Sequence, residues 1–442
     1  MKTFKLGGIH PEENKISAQQ PIEIVPIPQT VYIPVSQHLG APAKPIVEKG
    51  DLVKTGQLIA KGDGFISANV HSSVSGKVVK VDEVVDYSGY RRQSIIIESD
   101  GDEWVETIDR TPDLKRECAL EPKAIVDKIN EMGIVGMGGA TFPSHVKLSV
   151  PQGKKAEYLI INGVECEPYL TSDYRLMLER GREIMVGITI LMKGLKVDKA
   201  MVGIENNKPD AVRLMKDLSS EFKGITVHAL RVKYPQGAEK QLIKALVNRE
   251  VPSGKLPIEV GCVVQNVGTA FAVYEAVQKN KPLFERIVTV SGKTVKKPSN
   301  LLARVGTSIN DLIVVAGGLP EDTGKVISGG PMMGRALSNT GAPITKGTSG
   351  ILVMSEKESK RKKTMNCIRC GRCLNVCAMG LEPFLLANLS ENQSWEEAEA
   401  EHILDCMECG SCQYTCPSGR PLLDYIRVGK NKVAQIIRTR KN

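Results

Sequence analysis

The chain has 442 residues, 41% hydrophobic and 25% charged, with a formal net charge of +9. That length exceeds what a single hydrophobic core serves, so two to four domains are expected; no apolar run approaches the roughly 18 residues of a bilayer-spanning helix. Aromatic residues make up only 4% and no RNP-like or helix-turn-helix pattern occurs, which argues against nucleic acid as the partner for the basic excess.

Met1-Lys2-Thr3-Phe4-Lys5 runs into His10, Glu12, Glu13 and Lys15 rather than an apolar stretch, so no secretory signal is visible and a cytosolic, reducing setting is expected. From about residue 20 to 100 the chain is rich in Val, Ile, Gly and Pro, with alternating runs at 77–81 and 93–98 bounded by turn residues, the pattern of a small β-domain. Segments 50–59 and 70–78 resemble the half-barrels of biotinyl and lipoyl carrier domains, without the Met-Lys-Met tripeptide that carries the prosthetic group; a structural role is expected. Farther along, 122–131 reads as a helix leading into a glycine-rich loop, 158–162 and 200–204 as buried strands, and 175–196 as the helix between them, which implies an α/β domain. Apolar runs at 287–291 and 311–315, broken by Gly- and Pro-rich turns, suggest a third, small α+β domain. The basic block Lys360-Arg361-Lys362-Lys363 marks the next boundary. Residues 396–402 read as helical, and 427–441 hold six basic and no acidic side chains. There Leu422, Ile426, Val433 and Ile437 recur at near-helical spacing, so the segment is either a docking helix or a solvated tail.

Eight of the eleven cysteines fall in two runs, Cys367-x2-Cys370-x2-Cys373-x3-Cys377 and Cys406-x2-Cys409-x2-Cys412-x3-Cys416, displaced by 39 positions throughout. An internal duplication is the natural reading. Three thiolates so closely spaced wrap one face of a cubane, whereas the fourth cysteine of each run in two-cluster ferredoxins ligates the other cluster. The expected ligand sets are therefore Cys367, Cys370, Cys373 and Cys416 for one [4Fe–4S] cluster, and Cys377, Cys406, Cys409 and Cys412 for the second. Gly371 and Gly410 let backbone amides approach sulfide, and Pro417 follows Cys416 as in bacterial ferredoxins. Ala378 after Cys377 departs from that fold and favours a helical two-cluster variant. Zinc sites use paired cysteines with a long spacer, often with histidine, and no histidine lies inside either run.

The loop at 133–147 carries Gly133, Gly136, Gly138 and Gly139, then Phe142, His145 and Lys147. Its glycine density can bring amides against a phosphate or a flat ring, though it lacks the G-x-G-x-x-G fingerprint. With Asn162-Gly-Val-Glu165-Cys166-Glu167-Pro168, with Gly237-Ala238-Glu239, and with Asn266 and Thr269, it resembles the flavin- and NADH-binding subunit of respiratory complex I. The resemblance implies that Gly136, Gly138, Gly139, Lys147, Asn162, Glu165, Asn266 and Thr269 hold FMN, and that Phe142, Glu167 and Glu239 face NAD. Departures are Met137 for arginine, Thr141 for glycine, Cys166 for serine and Ala238 for glutamate. The start Gly7-Gly-Ile-His-Pro-Glu12, the segment 37–42, Ser328-Gly-Gly-Pro-Met-Met-Gly334 and the paired cysteine runs make the whole chain similar to the C subunits of Rnf ferredoxin:NAD oxidoreductase complexes.

That resemblance implies a multidomain α/β and α+β fold. It comprises an N-terminal β barrel-sandwich hybrid (1–115), a Rossmann-like FMN/NAD domain (116–284), a β-grasp, SLBB-like domain (285–352) and a helical two-cluster ferredoxin domain with a basic C-terminal helix (353–442). It further implies hydride exchange between NAD(H) and FMN, with single electrons passing through the clusters because a flavin converts two-electron to one-electron chemistry. Expected partners are other subunits of an ion-translocating membrane complex, including an iron–sulfur subunit that accepts electrons from ferredoxin. The chain would be peripheral on the cytoplasmic side of the inner membrane, touching it only through partners. Two alternatives share parts of the pattern: a soluble cobalamin reductase of the same architecture, and an electron-transfer adaptor without flavin. Glu167 and Glu239 would repel a 2′-phosphate, favouring NADH over NADPH. Among the six histidines, which show no ligand spacing, His145 is the candidate for cofactor contact, and Cys166 is the unclustered thiol whose setting matters.

Overall fold

The computed structural model describes residues 1–441. Near the N-terminus, the strands Thr30–Pro34, Arg91–Ser99, Gly76–Val85 and Leu52–Val53 form an antiparallel sheet in that order. It faces a smaller sheet of Lys44–Pro45, Leu58–Lys61 and Val70–His71. Alternation turns Val31, Ile33, Val78, Ile95 and Ile97 inward to meet Ile59 and Val70, closing one sandwich core. The residues before this barrel belong to its neighbours. Lys2 bridges Leu230 and Ile9 bridges Tyr234, while the strand Ile22–Ile24 joins the sheet of the third domain beside Ser299–Arg304.

A four-stranded parallel sheet follows, ordered Ile225–Leu230, Ala200–Glu205, Tyr158–Asn162, Cys262–Asn266. Its strands are buried apolar runs, as a sheet covered on both faces requires. The helices Pro122–Glu131, Gly181–Leu195 and Val267–Gln278 pack together on one face, and Glu239–Val247 covers the other. At Gly187 a Cβ would meet the Ala270 carbonyl at 1.9 Å, so only glycine allows that helix crossing. The expected helix at 175–196 is in fact two, Ser172–Glu179 and Gly181–Leu195. Arg180 leaves helical geometry, and Gly181, a weak helix former, fits tightly against Leu218.

The third domain sets a six-stranded mixed sheet against the helix Ile309–Val315, so of its two apolar runs one is a strand and the other a helix. Ser308 caps that helix by accepting from the Asp311 amide at 3.0 Å. The cysteine domain is helical: Pro383–Glu391, Trp395–Ala400 and Leu422–Lys441 enclose the short helices Arg372–Asn375 and Ser411–Thr415. Leu422, Ile426 and Val433 are buried inside this domain against Leu386 and Ile403, so the C-terminal apolar stripe covers its own core and is neither a free docking face nor a tail. Among the described residues no helix is long and apolar enough to cross a membrane.

Candidate functional site

The strand order places a topological switch point between Tyr158–Asn162 and Cys262–Asn266, where α/β sheets hold ligands beyond the carboxyl ends of their strands. Asn162 and Asn266 are register partners at those ends. The glycine loop lies over them. Gly136 donates to the Phe142 carbonyl at 2.8 Å, and the Met137 amide donates to Thr269 Oγ1 at 2.9 Å. Gly138 has φ +78, and a Cβ there would come within 2.9 Å of Asn266 Nδ2; a Cβ at Gly139 would meet nothing within 4 Å. Thr141, standing for glycine, still takes φ +53, a left-handed conformation that costs a β-branched residue energy. Asn266 caps the helix Val267–Gln278, accepting from Gly268 at 2.7 Å and donating to Asp173 at 2.6 Å. Asn162 donates to the Gly237 carbonyl at 2.8 Å, and Lys147 pairs with Glu239 at 2.8 Å. The loop, both asparagines, Thr269, Lys147 and Glu239 thus converge on one crevice.

Two of the expected contacts are turned elsewhere. The Glu165 carboxylate accepts from the amides of Asp173, at 2.7 Å, and Tyr174, at 3.2 Å, capping the helix Ser172–Glu179. Burial and the Glu165 charge push Asp173 upward. Glu167 is clasped by the third domain: it accepts from the amides of Met332, at 3.1 Å, and Met333, at 2.7 Å, and from Tyr234 Oη at 3.4 Å. Gly330 is required there, since a Cβ would lie 2.2 Å from Glu167 Oε2. Burial raises this carboxyl to about 7 against those amide donors. With Glu167 so engaged and Glu239 neutralised by Lys147, repulsion of a 2′-phosphate loses its basis. His145 faces the N-terminal domain, bonded to the Phe65 carbonyl at 3.1 Å with its ring edge-on to Phe65. The Cys166 thiol is pushed up by burial and the nearby Glu205 and Glu167, which leaves it inert.

Sequence reasoning missed several residues. Lys15 bonds the carbonyls of Glu165, Glu167 and Leu170 at 2.7 to 2.9 Å, tying down the backbone between them. Tyr234 sits at the seam with the cysteine domain, and Arg286 reaches under the glycine loop from the third domain. No local pattern marks Lys15. For Arg286 the signal was the methionine at 137 in place of a cation.

In the cysteine domain Cys377, Cys406, Cys409 and Cys412 line one cavity, walled by Leu381, Leu386, Leu423 and Ile426. The thiols stand around its walls; no three His, Cys, Asp or Glu among the described residues meet at a single-ion point. Burial pushes Cys406 up to about 11, against the Glu408 amide and Lys430, and pushes Cys412, with the neighbouring thiols adding, higher still. Four thiolates in so dry a space need the positive charge that iron supplies, so the donor set fits a cluster. The duplication is visible in the backbone: Arg369 and Glu408, Gly371 and Gly410, and Gly380 and Gly419 all have positive φ, each pair 39 apart. The Arg369 amide donates to Cys367 Sγ, and the Glu408 amide to Cys406 Sγ, both at 3.4 Å.

The surroundings of the two runs differ. Tyr234 Oη donates to the Cys409 carbonyl at 2.8 Å and Gln241 to the Ala378 carbonyl at 3.0 Å, joining the inner cavity to the flavin-type domain. Cys367 and Cys370 are exposed instead, beside Ile368 at 67% and Met365 at 55% exposure. The Met365 amide bonds the Ser418 carbonyl, which sets the basic block beside the Cys416 end. Lys362, Lys363, Arg369 and Arg372 are exposed, and among the described residues none has a carboxylate within 4 Å, whereas Lys360 pairs with Glu356 and Arg361 with Asp424.

A flavin crevice at a switch point, bonded to a dicluster domain, defines a flavin-linked iron–sulfur electron-transfer protein. The chain matches family models described as the RnfC barrel sandwich hybrid domain over residues 2–102, the Nuo51 FMN-binding domain over 129–275, the SLBB domain over 287–336 and the 4Fe-4S dicluster domain over 366–420. It is 52% identical to the C subunit of the proton-translocating ferredoxin:NAD(+) oxidoreductase complex of Clostridium ljungdahlii, covering 91% of this chain and 87% of that one. To the Na(+)-translocating counterpart of Acetobacterium woodii it is 45% identical, covering 98% and 97%. An NAD+-reducing [NiFe]-hydrogenase in the H2-reduced state shares the fold at TM-score 0.50 and 19% identity, over 73% of this chain and 66% of that one. The chain belongs to the family of C subunits of ion-translocating ferredoxin:NAD(+) oxidoreductase complexes.

Proposed function

We propose that this chain is the peripheral subunit through which such a complex exchanges electrons with NAD(H), on the cytoplasmic face of the inner membrane. The observation that carries the reading is the hydrogen-bonded seam between the flavin-type domain and the cysteines: Tyr234 contacts Glu167 on one side and the Cys409 backbone on the other, and Gln241 bonds the Ala378 carbonyl. Bound FMN would convert the two-electron hydride of NAD(H) into single electrons for the clusters. Gly136, Gly138, Gly139, Asn162, Asn266 and Thr269 shape the flavin crevice, with Glu165 fixing its wall through the adjoining helix. Lys147 and Glu239 form a charged pair at the rim, and Phe142 lies in the loop above, where a nicotinamide would stack. Glu167 holds the third domain against this site. Cys377, Cys406, Cys409 and Cys412 would hold the inner cluster, and Cys367, Cys370, Cys373 and Cys416 the outer one, whose exposed, basic surroundings suit an acidic iron–sulfur partner.

Anaerobic titration of the cluster-reconstituted protein with NADH, following flavin absorbance and cluster EPR together, tests the reading. Flavin bleaching accompanied by a growing cluster signal is expected. Clusters reducible by dithionite alone, in a protein that retains no flavin, would reduce the chain to a relay.

A further inference from the structure

Arg286 belongs to the strand Glu285–Ser291 of the third domain, yet its side chain ends under the glycine loop of the domain before it. It is 7% exposed. One terminal nitrogen touches the Met137 sulfur, and Nε donates to the Thr348 carbonyl at 3.3 Å. A Cβ on Gly268, in the first turn of the helix Val267–Gln278, would sit 3.7 Å from Arg286 Nη1, so the guanidinium also lies at that helix N-terminus. Among the described residues no carboxylate comes within 4 Å of it; burial lowers its basicity to about 10, and Asp173 opposes this only from a distance.

A guanidinium has five donors, and among the described residues one conventional acceptor and one weak sulfur acceptor meet it. A buried cation so poorly paired is unfavourable unless something anionic completes it. The glycine loop brings no cation of its own, since the first lysine or arginine after Gly133 is Lys147, already paired with Glu239. The positive end of a 12-residue helix, the adjoining Gly138 and Gly139 of the loop and the remaining guanidinium donors are complementary to a phosphate dianion, whereas an uncharged flavin ring would leave the arginine uncompensated.

We propose that Arg286, supplied by the third domain, is the cation that binds the phosphate of flavin mononucleotide at the N-terminus of the helix Val267–Gln278. The proposal rests on the crevice being a flavin site. It makes the third domain part of that site, with Met137 serving as the apolar platform under the guanidinium.

The test compares FMN with riboflavin, which lacks the phosphate, by fluorescence quenching on the full-length, cluster-reconstituted, deflavinated chain. Wild type should prefer FMN. Arg286→Met should weaken FMN by about tenfold or more and change riboflavin by less than about twofold, with Arg286→Lys recovering part of the preference. Iron content and melting temperature report whether each variant is folded. If Arg286→Met does not fold, the same pair of titrations on Arg286→Lys decides: a selective loss for FMN supports the proposal. Parallel loss of both flavins, or FMN affinity unchanged in a folded variant, overturns it. Failure of wild type to bind either flavin would instead remove the flavin reading itself.

Discussion

The two cysteine runs are copies in spacing and in backbone geometry, yet three cysteines of the second run, with Cys377 of the first, line a cavity beside the flavin-type domain while Cys367 and Cys370 of the first open to solvent. Duplication fixes how a ligand loop is shaped; neighbours decide what the resulting site can reach. Tyr234 and the Met332 loop cover the second run and Gln241 covers the Cys377 end of the first, whereas Cys367 and Cys370 are exposed. A relay needs this inequality, because identical surroundings would leave its two ends equivalent.

Cysteine replacement breaks the comparison most completely. Cys412→Ala should remove roughly half the iron and leave a protein whose flavin bleaches with NADH while no cluster is reduced. Cys370→Ala should lose a similar share yet keep an inner cluster that NADH reduces. Crossed ligation adds that Cys377→Ala behaves like Cys412→Ala although it lies in the run of Cys370. A reduced outer cluster in Cys412→Ala, seen by EPR, would reverse the order of the path.

A smaller effect is expected from reversing the exposed charges at Lys362, Lys363, Arg369 and Arg372 to glutamate. Flavin bleaching and cluster reduction should be unchanged, while transfer to an acidic two-cluster ferredoxin, followed by stopped flow, slows about tenfold at low salt. The difference should shrink toward 1 M salt, where screening acts over about 3 Å. Unaltered transfer would mean that electrons leave by another face.

Glu167 sharpens the inner side. Its folded value near 7 stands above the usual 4.5, so between those values the folded chain binds more protons than the unfolded one. Stability therefore falls as pH rises through that window and levels off above it, by on the order of 3 kcal/mol from this group. Melting at pH 5 and pH 8 should show a drop in wild type that is much reduced in Glu167→Gln. Gln241→Ala should cost least, about 1 kcal/mol for one lost bond to the Ala378 carbonyl, seen as a lower denaturant midpoint with cluster spectra unaltered.

What could be read from the sequence was local. Ligand spacing within a run, the glycine cluster at 136–139, the helix at 122–131 and the strands at 158–162 and 200–204 depend on residues a few positions apart. Where a partner lies far along the chain, the sequence offered no handle: Glu167 resembled a nucleotide contact until Met332 and Met333 took its oxygens, and His145 shared the loop's spacing but faces Phe65. The amphipathic stripe at 422–437 showed that an apolar face exists without showing what covers it. Arg180 interrupts the expected helix where the next residue, Gly181, is both a weak helix former and closely seated against Leu218, a contact no local pattern marks.

The N-terminus bears on how the protein is made. Gly7 lies so close to Cys377 that a Cβ would meet its carbonyl group at 2.5 Å, and the Gly8 amide donates to the Val376 carbonyl. At about 5 to 20 residues per second, the ribosome delivers Cys377 on the order of tens of seconds after Gly7. Ile9 can pair with Tyr234 well before that, so only the contacts of Gly7 and Gly8 with Val376 and Cys377 must wait, and they close in the same late interval in which the cysteine domain becomes available to iron.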